Sequence, residues 1–175
     1  GLTYRFTRGG TVLAPDLRSS QPEAEAACEL LIGKAEAAGL IASGELGEVK
    51  MISANLGYEL TDKERMLRPE LAGGALLDVG VYTLNFASMV LGDDIVKMTS
   101  ECVKTDTGVD GQDAIILTYR DGKLAVLHTG MWADTEQYGI IYGTKGYMIA
   151  CNINNIDTIQ IYSPDRHLVR EIKVP

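Results

Sequence analysis

The chain has 175 residues, of which 46% are hydrophobic, enough for one core of domain size. Its 23% of charged residues, without a dominant repeat, excludes disordered, collagen-like and coiled-coil proteins. The net charge is −8, from 16 Lys and Arg against 24 Asp and Glu, so we expect no nucleic-acid partner, because binding to phosphates needs clustered positive charge.

Apolar runs such as residues 73–81 are shorter than the roughly 18 residues that a membrane-spanning helix needs, and no charged-then-apolar leader opens the sequence. The three cysteines, Cys28, Cys102 and Cys151, are odd in number and never form a C-x-x-C pair. This pattern favours free thiols in a reducing compartment. We therefore expect a cytoplasmic protein with no membrane contact, in which each cysteine is a small buried hydrophobic residue.

Residues 1–39 are interpreted as an N-terminal arm and helix of undefined origin, separate from residues 40–175. The arm alternates weakly like a strand before Gly9 and Gly10. Ser20 is a suitable cap for a helix that continues to Ala38, with Gly39 as its stop.

Within residues 40–175, a short helical piece covers 40–43, and alternating residues at 48–56 predict a strand. Residues 75–91 have the apolar spacing of a buried helix, which Gly92 closes. Seven further strands are predicted at 96–105, 113–120, 123–130, 138–142, 146–150, 158–162 and 168–174.

This order of elements predicts an α+β fold, a large and mainly antiparallel sheet with helices on one face and the other face open. The dipeptide Asp121-Gly122 is a strong hairpin signal between two of the strands. The face packed on the helices is predicted to carry Ile115, Leu117, Val126 and Ile161.

Several kinds of catalytic site lack their usual parts. Neither G-x-G-x-x-G nor a P-loop occurs, and G-x-S-x-G is absent. The two histidines, His128 and His167, are too few for a multi-histidine zinc site. His128 is better interpreted as a sheet residue than as a ligand.

Polar residues stand out in the apolar helix at 75–91. Asp78 and Tyr82 are four residues apart and Asn85 follows three later, so the three share one helical face. Burying each without a partner costs on the order of 1 to 3 kcal/mol, which structural hydrogen bonds or a polar ligand must offset. The alternative is that Asp78 caps the helix while Tyr82 packs at the boundary between helix and sheet.

Residues 65–82, RMLRPELAGGALLDVGVY, resemble a motif of the glucose-fructose oxidoreductase, inositol dehydrogenase and MocA family, in particular of its dihydrodiol dehydrogenase branch. Residues 40–49 resemble the junction between a helix and the first strand of the family's C-terminal domain. The turn at 143–146 resembles its late G-T-x-G turn, so the resemblance covers about 40–175.

The resemblance implies that this chain holds only the C-terminal substrate and oligomerisation domain. NAD or NADP would bind mainly to an N-terminal Rossmann domain that the chain does not contain, and the open sheet face would build a homo-oligomer such as a dimer. Tyr82 matches the tyrosine that transfers a proton together with a lysine of the Rossmann domain. Asp78 matches the acid near the substrate or nicotinamide.

The other candidate residues are assigned to substrate binding. Arg65 or Arg68 would anchor a polar substrate, with a solvated surface charge as the alternative for each. Asn85 would position the substrate, since an amide cannot act as a base. Trp132 is a further candidate, with core or interface packing as its alternative. Ala72 replaces the first of three glycines, which implies that the loop can spare one unrestricted backbone position.

Three functions remain open for the sequence. The first is the C-terminal domain of an NAD(P)-dependent dehydrogenase acting on CH–OH groups of a sugar, polyol or trans-dihydrodiol, with the isolated chain inactive. The second is a non-catalytic relative that serves dimerisation or ligand sensing. The third is a purely scaffolding role.

Overall fold

The computed structural model describes residues 37–174, together with the backbone of strands β1 (Thr7–Arg8) and β2 (Thr11–Val12). β1 and β2 pair antiparallel as a small hairpin. Most of the helix predicted from Ser20, and also Cys28, lie outside the described residues.

Helix α1, residues 37–42, passes through Gly39, so the prediction that Gly39 ends a helix is wrong. The Ser43 N–H donates to the Gly39 carbonyl at 2.9 Å, which continues the helical pattern. The chain leaves the helix at Gly44, whose φ of +74° lies in the left-handed region. Glycine ends a helix when it adopts that conformation, and Gly39 does not.

Eight strands form the main sheet, in the order β10-β9-β8-β7-β3-β6-β5-β4. Among the described strands, only β3 and β6 pair in parallel, so the predicted mainly antiparallel α+β fold is confirmed. The strands are β3 (Val49–Gly57), β4 (Ile95–Lys104), β5 (Asp110–Tyr119), β6 (Leu124–Gly130), β7 (Gly139–Gly143), β8 (Gly146–Cys151), β9 (Thr158–Tyr162) and β10 (Leu168–Lys173).

The helical layer lies between β3 and β4 in the chain. Two short 3-10 helices, Glu64–Leu67 and Pro69–Leu71, precede a π-helix at Leu76–Gly80, which leads directly into α2 (Val81–Leu91). α2 ends at Gly92, as predicted. The helical turns of Pro69–Leu91 together are long and apolar enough to span a membrane. The uninterrupted apolar runs in the sequence, such as residues 73–81, were too short to indicate this. A core helix meets the same criterion, and here α2 packs on the sheet.

The two faces of the sheet differ in what covers them. One row across six strands is buried, on the face whose central strands contact the helical layer: Leu117, Ala125, Ile52, Ile141, Met148 and Ile161. The adjacent row faces outward and defines the open face: Ile116, Val126, Ser53, Ile140, Ile149 and Gln160.

Two burial predictions fail. Val126 is 39% exposed and lies on the open face, because its partner Ile116 in the β5–β6 hairpin also points away from the helices. Cys102 is exposed rather than buried, since it lies on the edge strand β4, all of whose residues are exposed. Cys151 is partly buried, whereas Ile115, Leu117 and Ile161 are buried as predicted.

Candidate functional site

The approach to the π-helix is folded tightly around two glycines. A Cβ atom on Gly73 would lie 2.6 Å from the carbonyl oxygens of both Arg65 and Met66, a separation that no side chain tolerates. The Gly74 N–H donates to the Met66 carbonyl at 3.0 Å. These contacts hold the 3-10 turn that carries Arg65 directly against the start of the π-helix.

Ala72 has a left-handed backbone, with φ 53° and ψ 42°. The prediction that the loop can spare a glycine at this position is therefore wrong. The left-handed conformation costs a residue with a Cβ atom roughly 1 to 2 kcal/mol, and the loop retains that strain. The neighbouring glycine pair leaves little room for another path, because backbone atoms surround Gly73.

The helix that was predicted as a regular α-helix begins as a π-helix. Val81 N–H donates to the Leu76 carbonyl, five residues back, and Thr83 Oγ1 donates to the Gly80 carbonyl at 2.8 Å. A Cβ atom on Gly80 would lie 3.2 Å from Thr129 Cγ2 on β6, so the missing side chain allows the helix to lie close to the sheet. Single π turns occur frequently at functional sites.

Asp78 lies in the middle of this π-helix and forms an ion pair with Arg65. Its side chain is 26% exposed and that of Arg65 is 49% exposed. Asp78 caps no helix, because Ala75 and Gly80 occupy the cap positions of the π-helix and α2. The structure thus brings two of the predicted site residues into contact across 13 positions of sequence.

Tyr82 follows one turn later, in the first turn of α2. It is half-buried and packs against the hydrophobic core. Its hydroxyl forms no hydrogen bond with any residue of the described range. Asn85 is exposed on the same helix, and its amide likewise has no partner within the described part of the chain.

Among the described residues, neither Arg68 nor Trp132 forms a hydrogen bond or ion pair with the side chains of Arg65 and Asp78. The Arg68 guanidinium binds Glu64 at 2.9 Å and Glu70 at 2.7 Å, so its charge is already compensated at the surface. Trp132 is partly buried, and its six-membered ring lies where a Cβ atom on Gly111 would stand. It borders a hollow of about 390 Å³ that is also lined by Thr61, Leu67, Lys104 and residues 105–107.

The sequence did not indicate two further carboxyl groups beside the helix start, Asp110 and Asp113 on β5. Asp110 Oδ2 accepts the N–H of Leu76 at 2.5 Å. Both carboxyl groups line a cleft of about 800 Å³ between the π-helix and β4, with Leu77 and Met98 among its walls. Asp113 is easily missed, because an Asp in a strand pattern is usually interpreted as an outward-facing residue.

Comparison with known proteins identifies residues 35–149 with the family description "GFO/IDH/MocA C-terminal domain". The chain is 37% identical over 112 residues to trans-1,2-dihydrobenzene-1,2-diol dehydrogenase of Xenopus tropicalis, covering 63% of this chain and 34% of that protein. It is 32% identical over 143 residues to D-xylose 1-dehydrogenase (NADP(+)) 2 of Haloferax volcanii, covering 77% and 43%. The chain therefore spans less than half the length of these relatives.

Two solved structures share the fold. The 3-ketoreductase KijD10 of Actinomadura kijaniata, in complex with NADP and TDP-benzene, superposes with a TM-score of 0.72 at 23% identity, over 80% of this chain and 45% of that one. The aldose-aldose oxidoreductase of Caulobacter crescentus, complexed with glycerol, gives 0.72 at 21% identity, over 82% and 45%. At this identity the likeness concerns the fold alone.

Proposed function

The chain belongs to the GFO/IDH/MocA family as its C-terminal domain, and we propose that it is the substrate-side half of an NAD(P)-dependent dehydrogenase that oxidises CH–OH groups of a sugar, polyol or trans-dihydrodiol. The predicted family and its dihydrodiol dehydrogenase branch are confirmed. The observation that carries the proposal is the fixed Arg65 and Asp78 pair one turn before Tyr82, whose hydroxyl has no partner among the described residues.

Oxidation of an alcohol removes a hydride and a proton from the substrate. When bound, the nicotinamide supplies the acceptor for the hydride. Tyr82 is suited to the proton, because its ring is anchored in the core while its hydroxyl is free to bond a substrate hydroxyl. A free phenol ionises only near pH 10, so proton transfer near neutrality requires a neighbouring cation. We propose that a lysine of the nucleotide-binding half provides it.

Asp78 acts in this scheme through its charge and position. Because the Arg65 guanidinium bonds the Asp78 carboxylate, we assign Asp78 the role of holding that guanidinium at the start of the site. Arg65 remains half exposed, so its outer N–H groups are available to a substrate hydroxyl. We propose a weaker role in substrate binding for Arg68, since its guanidinium already forms ion pairs with Glu64 and Glu70.

The described residues are suited to binding a substrate, but they do not form a binding site for the dinucleotide. Within residues 37–174, no glycine-rich turn joins a strand to a helix in the way that cradles a pyrophosphate. We therefore propose that the isolated chain is inactive. Titration calorimetry with NADH should detect no stoichiometric binding, and a one-to-one isotherm would contradict this proposal.

The test of the catalytic role uses the full-length protein with diol and sugar substrates and both nicotinamide dinucleotides. Tyr82→Phe should lower kcat by about 10² to 10⁴-fold, because removal of a proton-transfer group has effects of this size. Tyr138→Phe, at an exposed tyrosine outside the helix, is the matched control and should retain wild-type turnover. Unchanged turnover in Tyr82→Phe would favour the non-catalytic or scaffolding alternative.

We propose, as a second part of the function, that the open face mediates a homodimer. Its exposed apolar residues Ile116, Val126 and Leu124 support this, because contiguous apolar surface usually marks a protein interface. Sedimentation velocity should show a dimer that Val126→Lys dissociates, whereas Lys50→Glu, at an exposed site near the start of β3, should have little effect. A monomeric wild-type chain would contradict this part alone.

A further inference from the structure

Asp110 forms a hydrogen bond with the first residue of the π-helix that leads into α2. Its Oδ2 accepts the Leu76 N–H at 2.5 Å, and Leu76 begins the π-helix that contains Asp78. Gly74, at φ +110°, makes room for this contact, because a Cβ atom there would overlap Asp110 Oδ1. A carboxylate is favoured at this place, since the N–H groups at a helix start carry partial positive charge. Asp110 therefore fixes where the helix begins.

Asp113 lies three residues further along β5 and is only 8% exposed. In the sheet it stands between Cys102 on β4 and Thr129 on β6. Its Oδ2 is buried, and no donor of the described residues reaches it. Burial, and then the hydrogen bond and negative charge of Asp110, raise the pKa of Asp113 to about 7.

The other charged and titratable groups near Asp113 come from both neighbouring strands. Glu101 and Cys102 on β4 and His128 on β6 line the hollow that Asp113 borders, and Lys104 on β4 lines the adjoining cleft. None of them forms a hydrogen bond or ion pair with Asp113. From the helical layer, the Leu76 N–H is used by Asp110. Lys104, which lies opposite Asp110 in the sheet, forms no ion pair with either carboxylate among the described residues.

We propose that Asp110 and Asp113 share one proton and act as a positioning pair for the helix that carries Asp78 and Tyr82. With the proton present, neutral Asp113 donates its O–H to the Asp110 carboxylate, which continues to accept the Leu76 N–H. When the proton leaves to solvent, two adjacent carboxylates repel each other and the first turn of the helix loosens. The effect on catalysis rests on the proposed function; the coupling of Asp113 to Leu76 does not.

The direct test is an NMR titration of the wild-type chain between pH 5 and 9. The Leu76 amide proton and the Asp113 carboxyl carbon should shift together, with one midpoint near 7. The fluorescence of Trp132, the single tryptophan, provides a second signal, because its ring lies on Gly111, between the two carboxyl residues. In Asp113→Asn the Leu76 shift should become flat across this range.

His128 on β6 lines the same hollow as Asp113, so His128→Gln is the matched control and should leave the Leu76 midpoint unchanged. The proposal that Asp110 and Asp113 share a proton would be contradicted if the Leu76 amide shift did not change with pH. It would also be contradicted if that shift followed His128 rather than Asp113. The wild-type titration alone separates these outcomes, even if Asp113→Asn does not fold.

In the full-length enzyme, Asp113→Asn should flatten the part of the kcat/KM profile between pH 6 and 8 and leave kcat at pH 6 within about twofold of wild type, because the variant resembles the protonated state. A wild-type pH profile in this variant would overturn the link to catalysis. If Tyr82→Phe retains turnover while Leu76 still titrates with Asp113, the proposed function fails and the carboxyl pair stands.

Discussion

The strands β7 to β10 and the segment from Arg65 to Gly80 are built on different principles. Strands β7 to β9 alternate buried and outward residues, whereas β10 is exposed along nearly its whole length. The four strands pair without long connections, so each residue's place follows from its neighbours in sequence. The segment contains 3-10 turns, a left-handed alanine and a π-helix, held by contacts to β5 and β6. Local pattern thus builds the scaffold, whereas distant polar contacts build the site.

The largest expected difference between the two regions concerns their glycines. Gly74→Ala should lower the free energy of unfolding by about 4 kcal/mol, because the new Cβ meets the Asp110 carboxylate and the positive φ is unfavourable. Gly122→Ala, in the β5–β6 turn at φ +83° with open space around it, should cost only about 1 kcal/mol. Urea unfolding followed by tryptophan fluorescence measures both. Equal losses would show that the site segment is no more constrained than a hairpin turn.

A second contrast is the sign of pH dependence. The pKa of Asp113 is raised from 3.8 to about 7, so its unfolded form ionises first, and its contribution to stability is full below about pH 4 and is lost as the pH rises to 7. We expect a loss on the order of 2 kcal/mol, a value reduced for solvent screening because Asp113 borders a hollow at the surface. Unfolding by urea at pH 4.5 and pH 8 should show this difference, reduced in Asp113→Asn.

Asp121 in the hairpin turn is the matched control for this measurement. Lys123 holds the pKa of Asp121 below its usual value, so any contribution is present above pH 4 and disappears only in acid. Asp121→Asn should therefore leave the change between pH 4.5 and pH 8 as it is in wild type. If Asp113→Asn also left it unchanged, another group would have to carry the pH dependence.

The smallest expected effect tests the strain at Ala72. Ala72→Gly should raise the free energy of unfolding by about 0.5 to 1 kcal/mol, because glycine adopts the left-handed region without cost but loses more entropy on folding. Ala133→Gly, at an exposed loop residue without a positive φ, should instead lower it by a few tenths. Thermal unfolding of the two variants should show changes of opposite sign in the free energy of unfolding. A loss of stability in Ala72→Gly would contradict the strain.

The same division explains what could be predicted from sequence. Alternation and the Asp121-Gly122 turn were sufficient to predict eight strands and a mainly antiparallel sheet, and the spacing of 75–91 predicted a helix, which the structure places against β3 and β6. The backbone of Ala72 and the outward position of Val126 were missed because they depend on the local glycine loop and on the register of the β5–β6 hairpin. The π turn was missed because it packs against β6, a strand far away in sequence. Asp113 was missed for the same reason, since its environment arises only when β4, β5 and β6 lie together.

The site prediction from sequence was partial in a similar way. The contact between Arg65 and Asp78 joins two residues that the family motif had singled out for separate roles. Motif spacing cannot indicate that one candidate neutralises another, because the intervening glycine loop decides their distance. The roles of Tyr82, Asn85, Arg68 and Trp132 remain predictions for mutagenesis of the full-length protein.

The central position of β3 has a consequence for how the chain folds. β3 comes first among the eight strands, yet it lies between β6 and β7, whose residues follow about 70 to 90 positions later. The hairpins on either side can form from local contacts, but the sheet is continuous only after β3 joins them across a long loop. Pairing between strands this far apart in sequence slows folding. During synthesis, β3 emerges before its partner strands and remains unpaired until they follow. We expect refolding to be limited by the insertion of β3.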